Sequence, residues 1–103
     1  MVDSDWVQMT AGVKRRVRED GEKLMLVEVR FEAGRAVPEH AHMHEQVSYL
    51  ASGRMVFTVN GKEIEVNAGE SLRLPSNVPH SARSLEESIV LDTFSPPRED
   101  FRK

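Results

Sequence analysis

Residues 34–53 read Gly34-Arg35-Ala36-Val37-Pro38-Glu39-His40-Ala41-His42-Met43-His44-Glu45-Gln46-Val47-Ser48-Tyr49-Leu50-Ala51-Ser52-Gly53. Three of the chain's four histidines fall within five residues of this stretch, and the fourth, His80, follows forty residues after the first. Side chains alternate faces along a strand, so His40 and His42 would share one. Imidazole is the commonest protein ligand for transition metals, which makes the pair a start toward a metal site; histidines on a surface loop are the plainer alternative. Geometry limits any such site. A fully extended run from His40 to Gln46 would hold its ends ~20 Å apart, whereas ligand atoms must all lie ~2.0–2.2 Å from one ion. If Gln46 is to join the two histidines, the chain must bend at Met43-His44-Glu45. His80 must then arrive from another strand across a barrel interior.

Outward from this stretch the chain reads as short strands between turn residues. In Leu24–Phe31, the residues Met25, Val27, Val29 and Phe31 alternate onto one face. Val47–Ala51, Arg54–Val59, Lys62–Val66, Ser71–Leu74, His80–Leu85 and Ser88–Phe94 are further runs. Asn60-Gly61 is the strongest hairpin signal, because both residues tolerate the positive φ of a type I′ turn. Pro38, Pro75 and Pro79 sit at strand ends, where a missing N–H is tolerated. Regular alternation puts Ser48, rather than Tyr49, on the face of Gln46. Only the residues around Trp6 and the tail 98–103 could be helical. The fold class is therefore all-β, a sandwich or barrel.

With 103 residues and 39% apolar content, the expectation is a single domain, 1–103, with one core. The basic run Lys14-Arg15-Arg16-Val17-Arg18 reads as part of an edge strand whose charges discourage aggregation. A net charge of −3 and no clustered basic face argue against a nucleic-acid partner. The chain has no cysteine, so disulfides, thiolate metal sites and cysteine nucleophiles are excluded. No apolar run approaches a membrane span and no signal pattern opens the chain, so a cytoplasmic protein without a membrane partner is expected. Trp6 and Met55 read most simply as core residues.

Gly34-x5-His40-x-His42-x3-Gln46-x6-Gly53 resembles the first motif of the cupins, with Gln where Glu is usual. Gly69-x5-Pro75-x-Asn77-x2-His80-x3-Ser84 resembles their second, with Asn77 in place of Gly and Ser84 in place of Asn. Asn is the next-best residue at a positive-φ position, so the first of these changes is mild; the second removes an amide, and no role passes to Ser84. The resemblance implies a jelly-roll β-barrel (a double-stranded β-helix) and one divalent transition metal on His40, His42, Gln46 and His80. Three imidazoles and an amide suit Ni, Zn, Fe, Co or Cu. It also implies a homodimer, often built with N-terminal strands. A neutral Gln46 leaves the metal its full charge, which favours Lewis-acid work over stabilising a ferric state.

The histidine run together with Leu91-Asp92-Thr93-Phe94-Ser95-Pro96-Pro97-Arg98 is similar to the small cupins of the KdgF type, which open cyclic 4,5-unsaturated monouronates to their keto form in pectin and alginate breakdown. The resemblance implies a sugar-acid ligand, with Asp92 and Arg98 catalytic and Phe94, Arg98 and His44 lining the substrate pocket. Asp92 and Phe94 share a strand face, so Asp92 could act as acid or base beside the metal, while Arg98 could clamp a carboxylate. His44 could instead be a fifth ligand or a group behind the ligands. The plainer alternative is that Asp92 and Arg98 pair with each other at the rim, with Phe94 in the core. Two other functions stay open. One is a non-enzymatic metal or small-ligand binder, with Asp92 and Arg98 turned outward. The other is a small iron dioxygenase.

Overall fold

Period-two alternation becomes ten strands and one short 3-10 turn in the computed structural model, which describes residues 5–102. The strands are β1 Val7–Thr10, β2 Val13–Asp20, β3 Met25–Phe31, β4 Ala36–His40, β5 Glu45–Ser52, β6 Arg54–Val59, β7 Lys62–Asn67, β8 Ser71–Leu74, β9 His80–Ser84 and β10 Ser88–Ser95. They form two antiparallel sheets, one of six strands in the order β1-β2-β3-β10-β5-β8 and one of four in the order β4-β9-β6-β7. The inward residues of both sheets make one core. Met25, Val27, Val29 and Phe31 from β3 meet Met55, Phe57 and Val66 from the facing sheet. This is the jelly-roll barrel expected, closed by burying one face of each sheet against the other.

The turns follow the chemistry of their residues. Asn60 and Gly61 both take positive φ, 51° and 82°, in the β6–β7 hairpin. Asn77 adopts φ 62° ahead of β9, so the amide residue does fill a glycine-like position. Around Trp6 there is no helix; the chain passes directly into β1, and residues 1–4 lie outside the described residues. The tail holds a single 3-10 turn, Glu99–Phe101.

Two expectations are corrected. The basic run forms β2, which lies inside the six-stranded sheet between β1 and β3; β1 is the edge. Its arginines answer a charge. Glu28 of β3 is buried, and Arg16, Arg18 and Arg30 all donate to its carboxylate, at 3.3, 2.8 and 2.7 Å. Trp6 is only half-buried and lies outside the core cluster. Lys14 Nζ and the Arg16 guanidinium each sit 4.6 Å from its ring centroid, so its ring is a cation platform. Met55 is a core residue, fully buried.

Candidate metal centre

The first histidine is aimed by an irregularity in β4. Val37 pairs with Ala82 and His40 with His80, so three steps on β4 match two on β9. The bulge falls at Pro38-Glu39, where proline has no N–H to lose from the ladder. His40 and His80 therefore face each other on neighbouring strands of the four-stranded sheet, with ring centroids 4.4 Å apart. His80 does not cross the barrel, as had been expected; Gln46 does, because β5 belongs to the opposite sheet. Between them the chain leaves β4 after His40, bends at Met43-His44 and enters β5 at Glu45. His42 sits on that connection, pinned where its carbonyl accepts the Asn77 N–H at 2.7 Å.

The ligand atoms offered by His40, His42 and His80 all lie within 4.8 Å of one another. Each ring is oriented by a backbone carbonyl on its Nδ1: Pro38 O for His40, His44 O for His42 and Val78 O for His80, all at 3.0 Å. An Nδ1–H that donates to a carbonyl leaves Nε2 with its lone pair free for a metal. His80 Nε2 is buried with no hydrogen-bond partner, a costly condition for a polar atom unless something binds there. His42 Nε2 lies 3.0 Å from Gln46 Oε1. With the proton of His42 on Nδ1, these are two acceptors facing each other, and a shared cation resolves that opposition. Burial, with Arg98 and His80 nearby, pushes the imidazolium of His42 down to about 4, and burial lowers His80 as well. His42 and His80 are thus biased toward the neutral form that ligation requires. The donor set fits a divalent transition metal.

Behind Gln46 runs a short polar chain. Gln46 Nε2 donates to Ser48 Oγ at 3.0 Å, and Ser48 Oγ donates to Asp92 Oδ1 at 2.5 Å. Register produces this: Ser48 of β5 pairs with Asp92 of β10, and Gln46 with Phe94. Asp92 is buried, and that burial lifts its carboxyl to about 6, against the opposing pull of Ser48, Gln46 and Arg98.

A cavity of about 220 Å³ opens onto this cluster. His40, His80, Gln46, Asp92 and Arg98 line its polar end; Val29, Phe31, Phe57, Val90, Phe94 and Phe101 line the rest. Asp92 and Arg98 do not pair with each other. Arg98 instead donates through Nε and Nη2 to Asp100, at 3.1 and 2.9 Å, and lies 5.0 Å from the Phe94 centroid and 4.2 Å from that of Phe101. Phe94 is both core and cavity wall. His44 is not among the residues lining the cavity; its ring stands 5.5 Å from His42 and 6.4 Å from Phe94. Sequence reasoning missed Ser84, whose Oγ accepts from Arg35 N–H and donates to Glu32 O at 2.6 Å, fixing the turn that launches β4. It missed Phe101 and Asp100 as well, which no periodicity marks in so short a tail.

A two-sheet antiparallel barrel carrying three convergent imidazoles that could hold a metal ion has the architecture of a small cupin. The cupin domain model Cupin_2 matches residues 27–94, and the chain belongs to that family. It is 34% identical over 101 residues to the pectin degradation protein KdgF of Dickeya dadantii, covering 96% of this chain and 92% of that one. Among solved structures it is similar to KdgF from Halomonas sp., with 31% identity and a TM-score of 0.88 over 94% of this chain and 90% of the other. An RmlC-like cupin from Shewanella frigidimarina is 37% identical, with a TM-score of 0.89 over 94% and 87% of the two chains. No helix among the described residues is long and apolar enough to cross a membrane.

Proposed function

We propose that this cupin is a metal-dependent enzyme on a small sugar acid, opening 4,5-unsaturated monouronates and ketonising the product, as part of pectin breakdown. The observation that carries the reading is that Asp92 and Arg98, from β10 and the tail after it, line the same cavity as His40, His80 and Gln46. A binding-only module would combine a narrow or apolar pocket with both turned outward; the cavity is small and largely apolar, but both residues line it. His40, His42, His80 and Gln46 would hold the metal, which when bound supplies a Lewis acid that stabilises charge developing on a substrate oxygen. The cavity is smaller than the ~300–1,000 Å³ of sites for drug-sized ligands, which suits a single sugar ring.

The isomerisation needs one proton to leave the anomeric hydroxyl as the ring C–O bond breaks. One proton must then reach C4 as the resulting enolate becomes a ketone. A single group can do both and end as it began. Asp92, with its carboxyl near 6, exchanges a proton readily near neutral pH. Arg98 would take the uronate carboxylate, adding it at Nη1 or exchanging Asp100 for it. Phe94 and Phe101 line the apolar wall of the cavity, where the C–H side of the sugar would lie. The test is turnover of 4,5-unsaturated galacturonate by metal-loaded protein, read as loss of ultraviolet enol-ether absorbance. Acceleration that disappears in Asp92→Asn, at unchanged metal content, is expected. No acceleration at full metal occupancy would remove this substrate.

The reading includes a homodimer in the cytoplasm. Supporting the dimer, Val47 and Tyr49 are 43% and 44% exposed on the outer face of the six-stranded sheet, beside Thr93 and Leu91. Light scattering on the purified chain tests it.

A further inference from the structure

Gln46 brings an ambiguity that the usual glutamate at this position would not. A carboxylate offers oxygen at both ends, whereas an amide offers oxygen at one and an NH2 at the other. Turned the wrong way, the Gln46 NH2 would donate to His42 Nε2 and occupy the lone pair a metal needs. Something must therefore set its direction.

Ser48 lies one inward position along β5, is 2% exposed, and sits one inward pair along the β5–β10 ladder from the core pair Leu50 and Val90. A hydroxyl in such a place is costly unless both its proton and its lone pair are satisfied. Both are: it donates to Asp92 Oδ1 and accepts from Gln46 Nε2. The directions are not interchangeable. A carboxylate only accepts, so the single hydroxyl proton goes to Asp92 and a lone pair is left facing Gln46. That lone pair demands an N–H, which turns Oε1 toward His42 Nε2.

We infer that Ser48 is a positioning residue of the metal centre, keyed by Asp92, which fixes the Gln46 amide with its oxygen toward the metal and its NH2 away. This rests on the reading of Gln46 as a ligand. It makes the carboxylate and the metal site parts of one hydrogen-bonded unit.

The test is a double-mutant cycle on metal affinity, read with Zn(II) or Co(II) against a chromophoric chelator at about pH 8, with thermal melts confirming that each variant is folded. Ser48→Ala should weaken binding on the order of tenfold, and Ser48→Thr, which keeps the hydroxyl, should restore it. In a Gln46→Glu background the same Ser48→Ala change should cost clearly less, since a carboxylate has no wrong way round. The Co(II) absorption spectrum should shift on Ser48→Ala only in the Gln46 background. No loss in the native background, or an equal loss in both, would overturn the inference. Unchanged affinity in Gln46→Ala would instead overturn the ligand reading beneath it.

Discussion

Replacing Asp92 by Asn tests whether a buried, ionisable carboxyl stands at the centre of this site. In the folded protein burial lifts that carboxyl from 3.8 to about 6. A folded-state value above the unfolded one means that the native state holds the proton more tightly. Stability from this group is therefore full below about pH 3.8 and is lost as pH rises through about 6. The shift corresponds to about 3 kcal/mol, of which about 2 falls between pH 4.5 and pH 7.5. Asparagine cannot ionise but has nearly the same shape, and its carbonyl can still accept from Ser48. Any fixed cost of its extra N–H groups is the same at every pH. His42 and His80 titrate in both proteins, so they largely cancel in the difference. Urea unfolding of the metal-free pair across this range should show the native protein losing about 2 kcal/mol relative to Asp92→Asn as pH rises. A difference flat in pH would refute the reasoning, because the carboxyl would then titrate in the folded state as it does in the unfolded chain.

Acid should displace the metal late. His42 holds a proton only near pH 4 and burial lowers His80 too, so half-loss of metal, measured by elemental analysis after dialysis, should come below the ordinary imidazole range. Release centred near pH 6.5 would contradict this. Arg98→Lys should raise KM on uronate on the order of tenfold without changing metal content, since an ammonium loses the forked geometry. Gly53→Ala should destabilise the fold by on the order of 3 kcal/mol in thermal or urea melts. Its φ is +95°, and a Cβ there would collide with Ser88 Oγ and the Glu87 carbonyl.

Alternation and turn chemistry were enough to find β3 and β5 to β10, because both are local. Met25, Val27, Val29 and Phe31 could be assigned to one face from spacing alone, and all four are core. Spacing also located the bend at Met43-His44, since a straight strand could not bring Gln46 to the histidines. Strand partnership is not local, and there the reading went astray. Nothing in Lys14–Arg18 reveals that Glu28 needs three arginines around it, so an interior strand was read as an edge. Likewise His80 could be assigned to the site but not to a sheet. Its neighbour is decided by the pairing of β4 with β9, and the bulge that aligns His40 with it is marked only by Pro38. Alternation put Ser48 on the face of Gln46 and the second motif marked Ser84, but neither could be given a role, because a serine in a strand carries no signal until its partners are known. Each is in fact nearly fully buried and fully bonded.

The neutral ligand and the carboxyl behind it are best understood together. A glutamate at position 46 would place a second carboxylate beside Ser48, whose one hydroxyl proton would then face two acceptors in a buried space. Like charges so close disfavour joint ionisation, and one carboxyl would be forced to keep its proton or to lean on the metal. With Gln46 the only carboxylate in this hydrogen-bonded chain is Asp92, set back from the imidazoles by an amide and a hydroxyl. The arrangement separates two jobs that a single carboxylate would have to share. Under the proposed function, neutral donors would leave a bound metal its full positive charge, and the negative charge would stay on Asp92, which lines the same cavity.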